Sequence, residues 1–299
     1  MARRIRIPFL VDVVLVDDPR EMAELNRSPE ISRIIAGDGG FLHRVIHRRI
    51  YRTLCVGAEP LPVFAGRASE ARATRQATLE KALAHYDVRT PAVAGDIERL
   101  GRYVATGVAE RSPGVSVQQT VGRLFRPDYL ATPATYEAAR VISQWPQANP
   151  VKALWWRCSG TLARSKALLW EQAAQDPACI HATAIAFHNL VPAVERLRET
   201  ARDAAAATRP AQDVVRACLI APATLLRSAT GPVRVPSLKR PLRKGTLVVF
   251  KLGAMHERTH DPALAFARGE WNQCPGHDAV PRLLEAIWTT AMTLQRTMR

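Results

Sequence analysis

Hydrophobic and polar positions recur with two periods along the chain, and each period predicts one type of element. The apolar run from Val11 to Val16, closed by Asp17-Asp18-Pro19, predicts a buried strand. The run from Gly245 to Phe250 predicts a second strand, and the segment after Pro222 has β character. Most other apolar residues recur at helical spacing, which predicts helices over 19–26, 69–86, 90–110, 134–145, 151–175, 178–207, 211–220 and 283–298.

The size and composition of the chain fit one globular domain. It has 299 residues, of which 47% are hydrophobic and 23% charged, so it can bury a full core. There is no internal repeat and no low-complexity linker. We therefore expect a single domain over residues 1–299, mainly α with a minor β part and shortened in the middle of the chain.

The cysteines and the N-terminal sequence bear on the compartment. The five cysteines form no CxxC pair, so neither a disulfide framework nor a structural zinc site is expected, and a reducing cytoplasmic location follows. Asp12 interrupts the first apolar run, which argues against an export signal. No apolar stretch reaches the about 18 residues that span a bilayer, so no membrane partner is expected.

The charge of the chain indicates an anionic partner or a solvated basic surface. The net charge is +15, and the basic residues come in short groups. One group is Arg44, Arg48, Arg49 and Arg52, on helix-like sequence, and another lies at 234–244. Nucleic acid is not expected as a partner, because the sequence has no recognition-helix or aromatic signature. The preferred interpretation is a solvated basic surface.

The stretch from Phe266 to Gly276 carries the main candidate for chemistry. Cys274 lies there among glycine and proline, just before the predicted helix 283–298. A cysteine thiolate is one of the axial ligands that proteins give to haem iron, and it favours O–O cleavage. If Cys274 has this role, the chain is a redox enzyme.

Three short motifs surround this cysteine in a fixed order. Lys244-Gly-Thr precedes the strand, His260-Asp-Pro262 follows it, and the Phe266–Gly276 loop comes last. Together they resemble the C-terminal third of a cytochrome P450. One departure is that Gly269 lies five residues before Cys274, where the family has four. The resemblance implies haem b, ligated by Cys274, with Phe266 and Gly276 at the cofactor.

Further motifs upstream resemble the same family in the same order. Arg75, in Ser69-Glu-Ala-Arg-Ala-Thr-Arg-Gln, and Arg227, in Pro222-Ala-Thr-Leu-Leu-Arg, fall where the family places arginines that bind the haem propionates. A guanidinium suits this role because it binds a carboxylate through paired, charge-assisted hydrogen bonds. Asn272 occupies the position two before the cysteine, where the family has another propionate ligand, and Trp271 is expected beside the macrocycle.

Two further motifs of the family are absent from the sequence. Its paired Glu and Arg fall on Arg216 and Leu219, and its acid and threonine on the central helix are replaced by Phe187-His188-Asn189. His188 or Asn189 is then the candidate for the catalytic group facing the iron. If His188 faces the iron, the site resembles a peroxidase pocket or has iron bound by the histidine; the alternative is a histidine packed in the helix bundle.

These observations leave several functions open. The resemblance implies an oxidoreductase of monooxygenase type that acts on a small organic substrate in a biosynthetic pathway, with an acidic ferredoxin as the electron donor. The missing distal residues favour a non-oxygenating isomerase, dehydratase or peroxidase-like haem enzyme. A third possibility is a binding protein that has lost haem.

A rival motif predicts a zinc hydrolase. His256-Glu257-Arg-Thr-His260 fits H-E-x-x-H, in which two histidines one helical turn apart bind zinc and the glutamate activates water, with Glu285 as a third ligand. Its context is poor, because Asp261-Pro262 follows immediately and leaves barely a turn of helix for both histidines.

Overall fold

The computed structural model describes residues 2–33, 39–56, 59–60, 67, 70–84, 91–145, 148–268, 270–271 and 273–298. Its contacts divide the chain into two compact units. The first unit comprises Met1–Gln76 and Ala221–Cys274, and the second comprises Ala77–Ile220 and Pro275–Arg299. The expectation of one domain over 1–299 stays a prediction.

The first unit contains a five-stranded mixed sheet. Its strands are β1 (Arg3–Ile7), β2 (Val11–Val16), β3 (Ile31–Ser32), β6 (Leu225–Ala229) and β7 (Leu247–Phe250), in the order β1-β2-β7-β6-β3. Only the pair of β2 with β7 is parallel; the others are antiparallel. Two further short strands, β4 (Cys55–Val56) and β5 (Glu59–Pro60), pair with each other.

Asp12 explains why the apolar run of β2 contains a charge. Its carboxylate accepts two hydrogen bonds of 2.8 Å from Arg4 on β1 and one of 3.0 Å from the Thr246 hydroxyl. Thr246 follows Gly245, whose φ of +82° suits glycine, in the turn that enters β7. Val14 and Val16, further along β2, are fully buried in the core of the first unit. The strand predicted at 11–16 is thus confirmed to the residue.

Four helices complete the described part of the first unit, and α3 crosses its boundary with the second unit. Asp18 caps the first of them, accepting hydrogen bonds from two backbone N–H groups. The five are α1 (Pro19–Arg27), α2 (Phe41–Leu54), α3 (Glu70–Ala84), α12 (Leu252–Thr259) and α13 (Pro262–Phe266).

The described part of the second unit is helical. Many of its helices start at a proline, which has no N–H to leave unsatisfied in the first turn. They are α4 (Pro91–Thr106), α5 (Pro113–Arg123), α6 (Pro133–Gln144), α7 (Pro150–Cys158), α8 (Thr161–Gln172), α9 (Pro177–Ala184), α10 (Leu190–Thr200), α11 (Ala211–Cys218) and α14 (Ala279–Met298).

The core of the second unit forms where α14 packs against α4. Leu284, Trp288 and Ala291 of α14 are buried there. The two helices approach closely at Gly101, where an added Cβ would lie 2.6 Å from the Thr290 side chain. This glycine is therefore required by packing, although it lowers the helix propensity of α4.

Two long predicted helices are wrong in extent. The one predicted over 151–175 is two helices, because Gly160 takes a left-handed φ of +69° between α7 and α8. The one predicted over 178–207 ends at Ala184 and restarts at Leu190, with a short 3₁₀ segment, Ala186–Asn189, between them. The fold class, mainly helical with a minor sheet, is confirmed.

One described stretch meets the length and mean hydropathy of a membrane span. It is Pro177–Thr200, and half of its most apolar window is buried. This stretch is an exception to the expectation that no apolar stretch reaches spanning length. Such a stretch is weak support for insertion, because buried core helices pass the same test.

Candidate functional site

The segment between Phe266 and Cys274 in the first unit is a closed loop. Helix α13 is capped by Asp261, which accepts a hydrogen bond of 2.9 Å from the Ala263 N–H. The residue after the helix, Ala267, has a left-handed φ of +49°. The Cys274 N–H then donates to the Phe266 carbonyl oxygen at 2.8 Å. This bond returns the chain to the end of α13, and the Cys274 side chain is partly exposed.

Arg227 is a buried cation on β6. Its side chain is 2% exposed, and its Nη1 donates to the Leu226 carbonyl at 2.7 Å. Its backbone is paired with Val248 of β7, so the strand position is fixed by the interior of the sheet. Burying a guanidinium costs free energy, and proteins keep such groups where an anion or an aromatic face compensates the charge.

Trp271 lies beside two arginines. The guanidinium carbon of Arg227 lies over the indole at 5.2 Å from its centre, and that of Arg67 at 5.6 Å. Both distances fall within the range of cation–π attraction. The predicted site residue Arg227 and the loop before Cys274 are thus brought together in the first unit.

Arg67 is a site residue that the sequence gives no reason to select. Its Nη1 donates to three carbonyl oxygens at the end of α1, those of Asn26, Arg27 and Ser28, at 2.9, 3.3 and 2.6 Å. Its backbone N–H also donates to the Ser32 hydroxyl at 3.2 Å. These partners lie about 40 residues away in sequence, so no local pattern could have indicated them.

The electrostatic surroundings of this cluster are positive. Burial raises the pKa of Glu270, while the nearby cations Arg27, Arg227 and Arg67 and a hydrogen bond from Asn26 oppose the rise. Glu270 immediately precedes Trp271, and a second carboxylate, that of Glu30, also interacts with Arg67. The cluster therefore has more positive than negative charge and suits carboxylate groups of a ligand.

A hydrogen bond links α3 to the same loop. The Gln76 side chain donates to the Gln273 carbonyl oxygen at 2.8 Å. Gln76 follows Arg75 directly, so the helix that carries this predicted propionate ligand reaches the cysteine loop. The Arg75 side chain, Gly269 and Asn272 lie outside the described residues.

His188 and Asn189, the predicted catalytic pair, lie in the 3₁₀ segment of the second unit. The His188 ring packs 4.1 Å from Phe187 and 6.3 Å from Tyr136, measured between ring centres, and burial lowers the pKa of His188. Asn189 is exposed. The continuous central helix that would present them is interrupted at Ile185, where φ is −129°.

Comparison with known proteins identifies the architecture. No protein-family model matches the sequence, and no curated protein matches it at a significant level. Solved structures do match. P450BioI, in complex with an acyl carrier protein ligated to hexadec-9Z-enoic acid, has a TM-score of 0.58 and 13% identity, over 98% of this chain and 87% of that one. The chain has the cytochrome P450 fold.

Other P450 structures agree. CYP175A1 from Thermus thermophilus has a TM-score of 0.59 and 16% identity, over 98% of this chain and 84% of that one. CYP154C4 from Streptomyces sp. ATCC 11861, with bound testosterone, has a TM-score of 0.61 and 15% identity, over 97% and 84%. The resemblance inferred from the sequence motifs is therefore confirmed at the level of the P450 fold.

The H-E-x-x-H motif does not form a zinc site in this P450 fold. His256 lies on α12 and donates from Nδ1 to the Asp261 carbonyl at 2.9 Å, whereas His260 is exposed beyond the helix end with a left-handed φ of +51°. Among the described residues no group of three or more His, Cys, Asp or Glu could hold a metal ion. The expectation that barely a turn of helix would carry the motif is wrong, since α12 has eight residues. The two histidines nevertheless do not share a face of this helix, because His260 lies beyond its end.

An open cleft of about 620 Å³ lies in the second unit. It is formed where α5 and α6 begin, and its lining includes Ser112, Val115, Thr132 and Tyr136. Tyr136 is also the ring that packs near His188. Of the predicted cofactor-binding residues whose side chains are described, none lines this cleft.

Proposed function

We propose that the chain is a haem-thiolate oxidoreductase of the cytochrome P450 type that acts on a small organic substrate. The observation that carries the proposal is the closed loop that presents Cys274 in the same unit as the buried Arg227. A thiol that is partly exposed at the end of a fixed loop can reach a ligand, and buried cations nearby can hold the acidic groups of that ligand.

The residues present fit haem b. Cys274 would ligate the iron, and Arg227 and Arg67, with Arg75, would bind the two propionates. Arg227 is held by its strand and Arg67 by three carbonyls, so both guanidinium groups are preorganised. When bound, the thiolate-ligated haem would supply the redox chemistry of the site.

The other predicted residues would support the binding of the cofactor or lie near it. Phe266 fixes the loop by accepting the Cys274 N–H, and Gly276 follows the cysteine closely in sequence. Trp271 would shield the two arginines from water and keep their hydrogen bonds strong. We assign Asn272 to the propionate side and His188 or Asn189 to the distal side, on the basis of the family resemblance.

We further propose an acidic protein as the partner that supplies electrons. The exposed cations of the second basic group, Arg234, Lys239, Arg240, Arg243 and Lys244, support this, because they offer complementary charge. P450BioI binds an acyl carrier protein, which shows that a P450-fold protein can dock a carrier. The test is the binding of an acidic ferredoxin. An affinity that falls steeply with salt, and that is lower for the double variant Lys239→Glu with Lys244→Glu, would support this partner.

The test of the cofactor is an absorption spectrum of the purified full chain after addition of haemin. We expect a Soret band that shifts strongly to the red when the protein is reduced under carbon monoxide, and we expect Cys274→Ser to abolish the shifted band. Cys158→Ser is the matched control, because Cys158 is exposed on a helix of the second unit. A folded protein that binds no haem would overturn the proposal.

The requirement for an electron donor then separates the reaction types. Substrate oxidation that needs dioxygen and a reduced donor supports a monooxygenase. Turnover of a hydroperoxide with no donor would instead assign the chain to the non-oxygenating group, in keeping with the interrupted central helix at Ile185.

A further inference from the structure

Helix α7 in the second unit has an exposed apolar face. Val151, Leu154 and Trp155 are 79%, 61% and 69% exposed, and they are spaced as neighbours on one side of a helix. Large apolar side chains scattered singly on a surface need no explanation, but three on one helical face indicate an interaction site. We call these three residues the α7 face.

The orientation of this face is fixed by the opposite side of the helix. Ala153 packs into a small core with Trp145 and Ala148, against which Trp156 also packs. The rings of Trp145 and Trp156 stack at 6.5 Å between centres. Because Trp156 is held inwards, Trp155 must point outwards, so the exposure of the α7 face follows from packing.

The stretch of chain that contains the α7 face has basic residues and no acidic ones. From residue 138 to residue 170 the sequence has no Asp or Glu, but it has the basic residues Arg140, Lys152, Arg157, Arg164 and Lys166. Lys152, Arg157 and Arg164 are exposed on α7 and at the start of α8. The Lys152 ammonium lies 4.5 Å from the centre of the Trp156 ring, so cationic and aromatic groups are adjacent here.

We propose that the α7 face binds peripherally to the surface of an anionic lipid bilayer. Tryptophan prefers the interface between head groups and acyl chains, leucine and valine enter its apolar side, and nearby lysine and arginine attract anionic head groups. The short helix would lie in the plane of the surface. This inference does not depend on haem, and it revises the expectation of no membrane partner, which rested on the search for spanning segments.

The same charges disfavour a second copy of the chain as the occupant. In a symmetric dimer the same patch faces itself, so the cations of the two copies would meet. The acid-free stretch around α7 offers no carboxylate to pair with them. Anionic head groups supply the missing counter-charge.

The test is co-sedimentation of the full chain with vesicles of phosphatidylcholine alone and of phosphatidylcholine mixed with phosphatidylglycerol. We expect binding to the mixed vesicles, with a partition coefficient that falls about tenfold for Trp155→Ser and again for Leu154→Ser. Val108→Ser is the matched control, since Val108 is 71% exposed in the same unit and is not part of α7. It should leave the partition coefficient unchanged.

The charge requirement has its own pair of variants. Arg157→Gln with Arg164→Gln should weaken binding to the mixed vesicles and reduce its salt dependence, whereas Arg216→Gln, at another exposed position, should not. All these positions are exposed, so thermal unfolding should remain as in the wild type. Equal binding to both vesicle types, binding unaffected by Trp155→Ser, or self-association abolished by that variant would each overturn the proposal.

Discussion

The guanidinium of the buried Arg227 lies over the indole of the half-buried Trp271, 5.2 Å from its centre. This pair joins β6 to the loop that ends at Cys274. Because a desolvated cation–π contact contributes about 2 kcal/mol, we expect Trp271→Leu to lower the free energy of unfolding by about that amount. Trp271→Phe should lose only part of it. Urea unfolding of the haem-free protein measures the difference, and equal stability of the Leu and Phe variants would argue against the contact.

The cysteines whose side chains are described should differ in the rate at which their thiols are alkylated. Cys179 and Cys218 are buried, and burial raises the pKa of Cys179 to about 12 and that of Cys218 in the same direction. Only the thiolate reacts, so at about pH 8 an alkylating reagent should modify Cys158 and Cys274 first. Mass spectrometry of digested protein gives the order.

Haem should then protect one of the two reactive thiols. If Cys274 is the iron ligand, added haemin slows its alkylation and leaves that of Cys158 unchanged. Protection of both cysteines, or of neither, would contradict ligation at Cys274. Protection is measured without turnover, so it is independent of the reaction type.

Two glycines on α4 should respond oppositely to alanine. At Gly101 a new Cβ would lie 2.6 Å from Thr290, whereas at Gly95 the nearest atom is the Arg99 guanidinium at 3.9 Å. Gly95→Ala should raise the free energy of unfolding by about 0.5–1 kcal/mol through helix propensity. Gly101→Ala should lower it by about 1–3 kcal/mol through overpacking. Chemical unfolding curves compare the two, and a stabilised Gly101→Ala would show that α4 and α14 are not in close contact.

Asp12 should contribute to stability at neutral pH and lose this contribution in acid. Burial alone would raise the pKa of Asp12, but hydrogen bonds from Arg4 and Thr246 outweigh it and hold the pKa below its usual value. The contribution is therefore present above the unfolded pKa of about 4 and is lost as pH falls through the lower folded pKa.

The variant Asp12→Asn measures this contribution. At neutral pH it should cost about 1–3 kcal/mol, since it leaves the partly buried Arg4 without its counter-charge. The exposed pair Arg126–Asp128 provides the control, and Asp128→Asn should change stability little. A cost of Asp12→Asn that did not shrink in acid would mean that the ion pair is not its source.

His188 should make the protein less stable as pH falls below neutrality. Burial lowers the pKa of His188, and the nearby cation Arg140 acts in the same direction. As pH falls through about 6.5, His188 binds a proton in the unfolded chain but not yet in the folded one. Its contribution to the free energy of unfolding is therefore fully present above this pH and declines below it. His188→Phe keeps a ring beside Phe187 and should flatten this decline between about pH 7 and pH 5 in urea titrations. An unchanged slope would place the responsible group elsewhere.

The sequence was most informative where a residue's conformation is decided by its neighbours in the chain. The strand Val11–Val16 and the helix that starts at Pro19 follow from local rules of periodicity and capping. Gly160 also follows a local rule, since glycine tolerates a left-handed φ, but the periodicity of 151–175 hid the break. The helical spacing of apolar residues does not reveal where a helix is interrupted, because the spacing continues in both of the helices that result.

The site was predicted only in part, because its contacts are long-range. Cys274 and Arg227 were accessible through short motifs, and the structure places both in the first unit. Arg67 has no such motif, since its selection depends on three carbonyls at the end of α1 and on Trp271. The exposure of Trp155 could likewise be known only once Trp156 was seen to pack inwards.

The parallel pairing of β2 with β7 has a consequence for how the protein forms during synthesis. Asp12 and Thr246, hydrogen bonded beside this pair, are 234 positions apart in the chain. The ribosome therefore releases β2 long before its central partner exists, and the α14 that closes the other core emerges later still. Such distant pairing slows folding and leaves apolar strands exposed to association. Nascent chains stalled before residue 247 should consequently depend on chaperones.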